Sequence, residues 1–135
     1  MPTPPNHRDK SCLFCEVERL QIVAQNEEAY TIRDRYPVTK LHSLIVPKRH
    51  VLSYFDLDES EIVACTEILR ATRDEIVATD NSVSGFNIAI NNGADAGQSV
   101  PHCHIHLIPR RKGDVDEPRG GLRRMVPGKG DYRRP

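Results

Sequence analysis

The sequence predicts an α+β domain: a mainly antiparallel sheet with one long helix on one face. Three observations lead there. Short strand-like segments outnumber helical ones, most connections are short, and only one stretch carries sustained helical periodicity. Short connections favour antiparallel neighbours. The 135 residues suit one domain with one core.

Taken in chain order, residues 1–10 hold three prolines and almost nothing apolar, which predicts a disordered lead-in. The run "SCLFCEVERL" predicts a short N-terminal helix capped by Ser11. "IVAQ" and "EAYTIRD" read as two strands turning at Asn26 and Glu27. A third strand lies near Ser43 to Val46 and is stopped by Pro47. The long helix starts near Asp58, where Asp58 and Glu61 have capping-box spacing. Ile62, Cys65, Leu69, Thr72 and Ile76 recur at steps of three and four, Val63 and Val77 widen that face, and the helix fades by Asp80. "FNIAINN" is a strand with Ile88 and Ile90 two apart, "GADAGQS" a glycine loop, and "HCHIHLIP" a last strand ended by Pro109. Residues 112–135 form a basic tail rich in Gly, Pro and Arg.

Composition removes several classes. No apolar run is long enough to span a bilayer, and the polar N-terminus lacks the apolar core of a signal peptide, so a cytoplasmic location is expected. Four cysteines in a chain of this length suggest buried thiols or metal ligands rather than a disulfide framework. Formal net charge is zero, which gives no general case for binding a nucleic acid polymer. The charge is uneven, however: Arg110 to Pro135 holds nine Lys/Arg against four Asp/Glu. A local basic segment of that kind can meet an anion.

The last strand carries the chemistry. Side chains alternate along a strand, so His102, His104 and His106 share one face, and Cys103, Ile105 and Leu107 face the core. Three imidazoles are poor core material because each needs hydrogen-bond partners. Two uses suit them: binding a metal, or nucleophilic catalysis in which one His attacks and its neighbours hold a phosphate. The glycine loop just before them, with Gln98 and Ser99, can aim N–H groups and a hydroxyl at phosphate oxygens.

"HCHIHLI" resembles the His-x-His-x-His-x-x signature of the histidine-triad (HIT) nucleotide hydrolases and transferases. "GQSV" is similar to that family's phosphate loop, "HSLIVPKRH" to its upstream strand and "CLFC" to its N-terminal cysteine pair. The likeness runs from about Ser11 to Arg111, so residues 11–111 are expected to be the HIT domain. It implies a HIT-like fold with a five-stranded antiparallel sheet, one long helix and a second subunit in a homodimer. It also implies a nucleotide substrate cleaved at its α-phosphate, a dinucleoside polyphosphate or a nucleoside phosphoramidate. By resemblance, His104 attacks phosphorus and carries the nucleotidyl group, and His106 bonds the phosphate or the bridging oxygen. Ser99, Gln98 and the backbone of Gly97 and Val100 hold non-bridging oxygens. Asn91 contacts the nucleotide, Asp34 accepts from the ribose, and His42 lines the site. Leu41 stands where many members have glycine or threonine. Asn91 replaces the glutamine of Fhit-like hydrolases, and the tryptophan-bearing end of Hint-like phosphoramidases is missing.

Cys12 and Cys15 form a C-x-x-C that His50 and His102 can complete as a structural zinc site, again by resemblance to some members. Two alternatives stand beside the hydrolase: a zinc-stabilised nucleotide-binding protein with little catalysis, and a nucleotidyltransferase that uses the same intermediate. In the tail, Leu122, Met125, Val126 and Tyr132 are expected to dock on a folded surface near the dimer interface. That would bring Arg119, Arg123 or Arg124 to the mouth of the phosphate site.

Overall fold

A computed structural model describes residues 8–9, 11–16 and 21–131. Five strands form one sheet: β1 Ile22–Gln25, β2 Ala29–Arg33, β3 Ser43–Pro47, β4 Val83–Ala89 and β5 Ile105–Arg111. Their order is β1-β2-β3-β5-β4, and every neighbouring pair is antiparallel. The α+β expectation holds, with five strands and one long helix, α1 Glu59–Thr79. No helix among the described residues is long and apolar enough to cross a membrane.

β2 and β3 are buried on both faces, which is why "SLIVP" is a continuous apolar run rather than an alternating one. On one face Ala29, Ile45, Ile105 and Leu107 pack against Ala64, Cys65, Ile68 and Ile76 of α1. On the other, Tyr30, Ile32, Leu44 and Val46 meet Cys12, Phe14 and Cys15. The N-terminal cysteine segment thus roofs the face that α1 leaves open.

α1 begins as the spacing predicts: Asp58 is the N-cap, and the Glu61 carboxylate accepts from the Asp58 N–H at 2.9 Å. Its buried stripe differs in part. Ala64 and Ile68 join Cys65, Thr72 and Ile76, while Val63 and Val77 are exposed. Two flanking valines widened the apparent stripe beyond what the sheet can cover. Glu61 has a second partner that its capping role did not reveal. It forms a two-pronged pair with buried Arg49, at 2.9 and 2.6 Å, tying the helix start to the segment after β3.

Several boundaries shift. The N-terminal helix, where described, is a single 3-10 turn, Leu13–Cys15, capped by Cys12. Ser11 instead donates to Asp9 at 2.6 Å. Residues 17–20 of the expected helix, most of residues 1–10, and Tyr132 lie outside the described residues. β4 starts at Val83 and ends at Ala89, leaving Ile90 beyond it and Ile88 exposed. β5 starts only at Ile105, so His102, Cys103 and His104 precede the strand, and it runs through Pro109 to Arg111. Pro109 is tolerated because its carbonyl accepts from Thr39 Oγ1 at 2.6 Å. Its missing N–H therefore points to the loop side, past the end of β3, and not into the β4 ladder.

The tail makes a 3-10 turn at Leu122–Met125 and bonds largely to itself. Arg119 pairs with Glu117, Arg123 donates to the Lys129 carbonyl, and Arg124 donates to the Glu117 and Arg119 carbonyls. Leu122, Met125 and Val126 stay exposed, so they do not dock on their own chain. None of these three arginines lines the main cavity.

Candidate active site and metal cluster

A cavity of about 810 Å³ opens on the sheet face away from α1, a volume typical of a small-molecule site. It gathers Asp34, His42, Asn91, Gly97, Ser99, Val100, His104 and His106 from segments far apart in sequence. Of the residues expected in the phosphate and nucleotide site, Gln98 is the one whose side chain is engaged elsewhere. Its amide donates to the Leu52 and Val100 carbonyls at 2.8 and 3.2 Å and accepts from the Gly93 N–H at 2.9 Å. Gln98 thereby braces the glycine loop. Asn92 helps, accepting from the Tyr54 N–H at 2.9 Å. Gly97 adopts a left-handed φ of +93°, which favours glycine at this turn.

Hydrogen-bond partners assign the tautomers of the histidines. His104 Nδ1 lies 2.8 Å from the His102 carbonyl, so Nδ1 carries a proton and the neutral ring is the Nδ1–H tautomer. His42 Nδ1 accepts from the Val38 N–H at 3.0 Å, so its proton sits on Nε2. That Nε2 lies 2.9 Å from His106 Nδ1 and 3.4 Å from Asp34 Oδ2. His106 Nδ1 is then an acceptor, which leaves its proton on Nε2. Burial pushes His106 down to about 4, and the neighbouring His104 and His42 add to the shift against the pull of Asp34. Burial also lowers His42, partly opposed by Asp34. Both rings are therefore neutral at pH 7.

The loop before His42 is tightly fixed. Asp34 Oδ1 accepts from the Tyr36 N–H at 2.8 Å, and the Asp34 N–H donates to the His42 carbonyl at 2.9 Å. Leu41 takes φ +73°, a left-handed conformation that favours glycine. Its side chain packs on the α1 core and does not line the cavity.

The rest of the lining mixes polar and apolar side chains, with Gln21, Arg33, Arg35 and Tyr36 beside an apolar wall. Leu13 and Phe14 come from the N-terminal turn, Ile22 and Val23 from β1, Ile32 from β2 and Leu44 from β3. Sequence reading missed this wall because it is spread over four segments, each of which reads as ordinary core.

Beside the cavity, Cys12, Cys15, His50 and His102 bring their ligand atoms within 4.8 Å of one another. His102 Nδ1 lies 3.4 Å from Cys12 Sγ, 3.5 Å from Cys15 Sγ and 3.2 Å from His50 Nδ1, and Cys15 Sγ lies 3.3 Å from His50 Nδ1. A tetrahedral zinc needs edges of about 3.3 Å between two nitrogens and about 3.6 Å between nitrogen and sulfur. The donor set fits. His102 Nε2 is 2.7 Å from the Pro47 carbonyl, which fixes that nitrogen as the donor and turns the Nδ1 lone pair to the thiols. His50 Nε2 lies 4.0 Å from the Asp9 carboxylate. Burial pushes the Cys12 thiol up to about 11, so only a bound cation would make it a thiolate at neutral pH.

The protein is thus a small antiparallel α+β domain with paired histidines in a ligand-sized cleft and a Cys/His cluster beside it. The chain belongs to the HIT family: the HIT domain model matches residues 16–113. Among relatives, "Protein hit" of Bacillus subtilis is 37% identical over 117 residues, 80% of this chain and 77% of that protein. The bis(5′-nucleosyl)-tetraphosphatase (asymmetrical) of Schizosaccharomyces pombe is 40% identical over 83 residues, 60% of this chain and 44% of that one. "Adenylylsulfatase HINT3" of Arabidopsis thaliana is 35% identical over 107 residues, 76% and 54% of the two chains. Among solved structures, a HIT family protein from Bacillus anthracis matches with a TM-score of 0.71 at 33% identity, covering 77% of this chain and 76% of that one. A zinc-bound histidine triad family protein from Mycobacterium smegmatis matches with a TM-score of 0.70 at 30% identity, covering 77% and 78%.

Proposed function

We propose that this protein is a nucleotide hydrolase that cleaves at the α-phosphate of a dinucleoside polyphosphate or a nucleoside phosphoramidate, through a nucleotidyl group carried on His104. The observation that carries the reading is the 2.8 Å contact from His104 Nδ1 to the His102 carbonyl. In the neutral ring this contact puts the proton on Nδ1 and the lone pair on Nε2, the nitrogen a nucleophile would use. Relatives named as a tetraphosphatase and an adenylylsulfatase favour phosphorus as the point of attack.

In the first step the Nε2 lone pair of His104 forms an N–P bond as the bond from phosphorus to the leaving group breaks. The His106 Nε2–H lies on the cavity side of the ring and donates a hydrogen bond to the departing atom, which leaves with the electron pair of the broken bond and takes any proton it needs from solvent. His42 then holds the other nitrogen of His106 through its own Nε2–H. Ser99 and the backbone of Gly97 and Val100 receive non-bridging oxygens, the role the glycine loop suits. Asn91 contacts the nucleotide, Asp34 accepts from the ribose, and the apolar wall receives the base. In the second step water attacks phosphorus, the electron pair of the N–P bond returns to His104 Nε2, and the proton from water is released to solvent.

Cys12, Cys15, His50 and His102 hold a structural zinc in this reading. Bound there, the ion cross-links the N-terminal turn to the segments after β3 and before β5. The protein acts as a homodimer, which would cover the edge strand β4 and its exposed Ile88.

The test is a panel of diadenosine polyphosphates, adenosine phosphoramidate and adenylyl sulfate, with base quenching of a labelled substrate. A nucleotidyl adduct on His104 is expected. Full turnover by His104→Ala would rule out the mechanism. Binding of nucleotides without turnover of any of them would leave a binding protein.

A further inference from the structure

The turn that delivers Cys12 and Cys15 to the metal cluster also builds the cavity. Leu13 and Phe14, between those two ligands in sequence, both line it. The Phe14 ring is buried and meets two histidines edge-on: His102 at 5.8 Å and His104 at 5.2 Å between centroids. The Phe14 carbonyl accepts from the Tyr30 hydroxyl at 2.5 Å. From the opposite side, His102 turns Nδ1 to the cluster while its carbonyl holds His104 Nδ1 at 2.8 Å. The His104 ring is therefore gripped by a phenyl edge and a carbonyl, and both grips belong to segments that carry cluster ligands.

We infer that metal occupancy of the cluster and nucleotide occupancy of the cavity are thermodynamically linked, and that Phe14 is the positioning residue that links them. The inference rests on the zinc and nucleotide readings given above. Its physical basis is the weakness of the turn itself. Leu13–Cys15 is one 3-10 turn, closed by the Cys15 N–H to the Cys12 carbonyl at 3.1 Å and the Glu16 N–H to the Leu13 carbonyl at 3.3 Å. So short an element does not hold its own conformation. Two metal–thiolate bonds, one on each side of Leu13 and Phe14, would fix it. A nucleotide that packs on the fixed wall then binds the metal-loaded form better, and by reciprocity it tightens the hold on the metal by the same factor.

Adenosine monophosphate is the probe. Its affinity is measured by calorimetry on zinc-loaded protein and on protein stripped by a chelator and shown by circular dichroism to stay folded. Zinc affinity is measured by competition with a chromophoric chelator, with and without saturating adenosine monophosphate. Stripping is expected to weaken nucleotide binding about tenfold or more, and nucleotide to tighten zinc by the same factor. Phe14→Leu, loaded with zinc to wild-type content, should bind adenosine monophosphate several-fold more weakly and respond less to stripping. If the stripped protein unfolds, the zinc competition decides: a smaller tightening of zinc by saturating adenosine monophosphate in Phe14→Leu than in wild type supports the linkage through Phe14, and equal tightening overturns it. Zinc and nucleotide that each bind without affecting the other overturn this inference alone. Failure to take up any zinc removes the metal reading and the linkage together, whereas failure to bind nucleotide in either form removes the nucleotide reading.

Discussion

His102 and His106 lie four residues apart in one run, yet they end in unlike surroundings. His102 is fully buried. Its Nε2 is tied to the Pro47 carbonyl, and Nδ1 faces two thiols and His50. His106 is half-buried, takes His42 on Nδ1 and lines the open cavity. Burial pushes both down to about 4, so basicity does not separate them. The difference lies in which nitrogen is already occupied and what the other one meets. A backbone carbonyl on Nε2 leaves the Nδ1 of His102 facing the Cys/His cluster. A histidine on Nδ1 leaves His106 its Nε2–H as a hydrogen-bond donor. Between them His104 is tied at Nδ1, with Nε2 as its other nitrogen.

The largest effect that separates the two regions is loss of the nucleophile. His104→Ala should lower kcat/KM on the order of 10⁴-fold and abolish the trapped adduct, while zinc content and melting temperature stay near wild type. A parallel fall in zinc content would mean that the two clusters cannot be treated separately. His106→Ala should lower the rate by about 10²-fold, the scale of a lost hydrogen-bond donor to charge that develops in the transition state. Comparing substrates with good and poor leaving groups sharpens the assignment, because the deficit should shrink as the leaving group improves.

On the metal side, Cys12→Ser should lower zinc content and cut the melting temperature by roughly 10 °C, since closing such a site contributes directly to folding. Its kcat should change far less than that of His104→Ala. Unchanged melting with an emptied cluster would deprive the site of its structural role.

The pH dependence of stability tests the neutral histidines of the cavity. His106 in the folded protein lies near 4 against an ordinary 6.5, and His42 is lowered as well. A lowered folded value means that the unfolded chain binds the extra proton first. The stability these groups contribute is complete above about pH 6.5 and is lost as pH falls toward 4. Urea midpoints across that window should drop less in a His106→Asn variant. An identical drop would show that the acid loss arises elsewhere.

The smallest effect is expected from the tail. Arg119, Arg123 and Arg124 bond within the segment and stay away from the cavity. Truncation after Lys112 should then change turnover by no more than about twofold, as for surface changes outside a site. A selective loss on diadenosine tetraphosphate would instead show that a partner's tail reaches the cavity.

Much of this was legible in the sequence, and particular residues show why. The capping spacing of Asp58 and Glu61 located α1, because capping is a local interaction that four residues contain. The alternation of His102, His104 and His106 separated histidines from core residues, although regular pairing starts only at Ile105. Gln98 was legible as part of the glycine loop but not as its brace, because its partners, Leu52 and Gly93, are reached only through the loop's folded course. The ion pair of Arg49 and Glu61 was hidden for the same reason.

By itself the sequence determined the α+β class, the long helix, the order of the strands along the chain and the residue types able to do phosphorus or metal chemistry. Those features depend on periodicity, turn residues and spacing, which act over a few neighbours. Tertiary structure alone decided which imidazole nitrogen is free at each histidine. Each tautomer is set by a group that folding brings up: the Pro47 carbonyl for His102, the Val38 N–H for His42, and His42 itself for His106. It also decided that the turn carrying Cys12 and Cys15 walls the cavity, since that turn meets His104 only when β2 and β3 carry it across the sheet. A hydrogen bond between residues 55 or 64 positions apart leaves no trace in local pattern, because its directionality exists only once the backbone is in place.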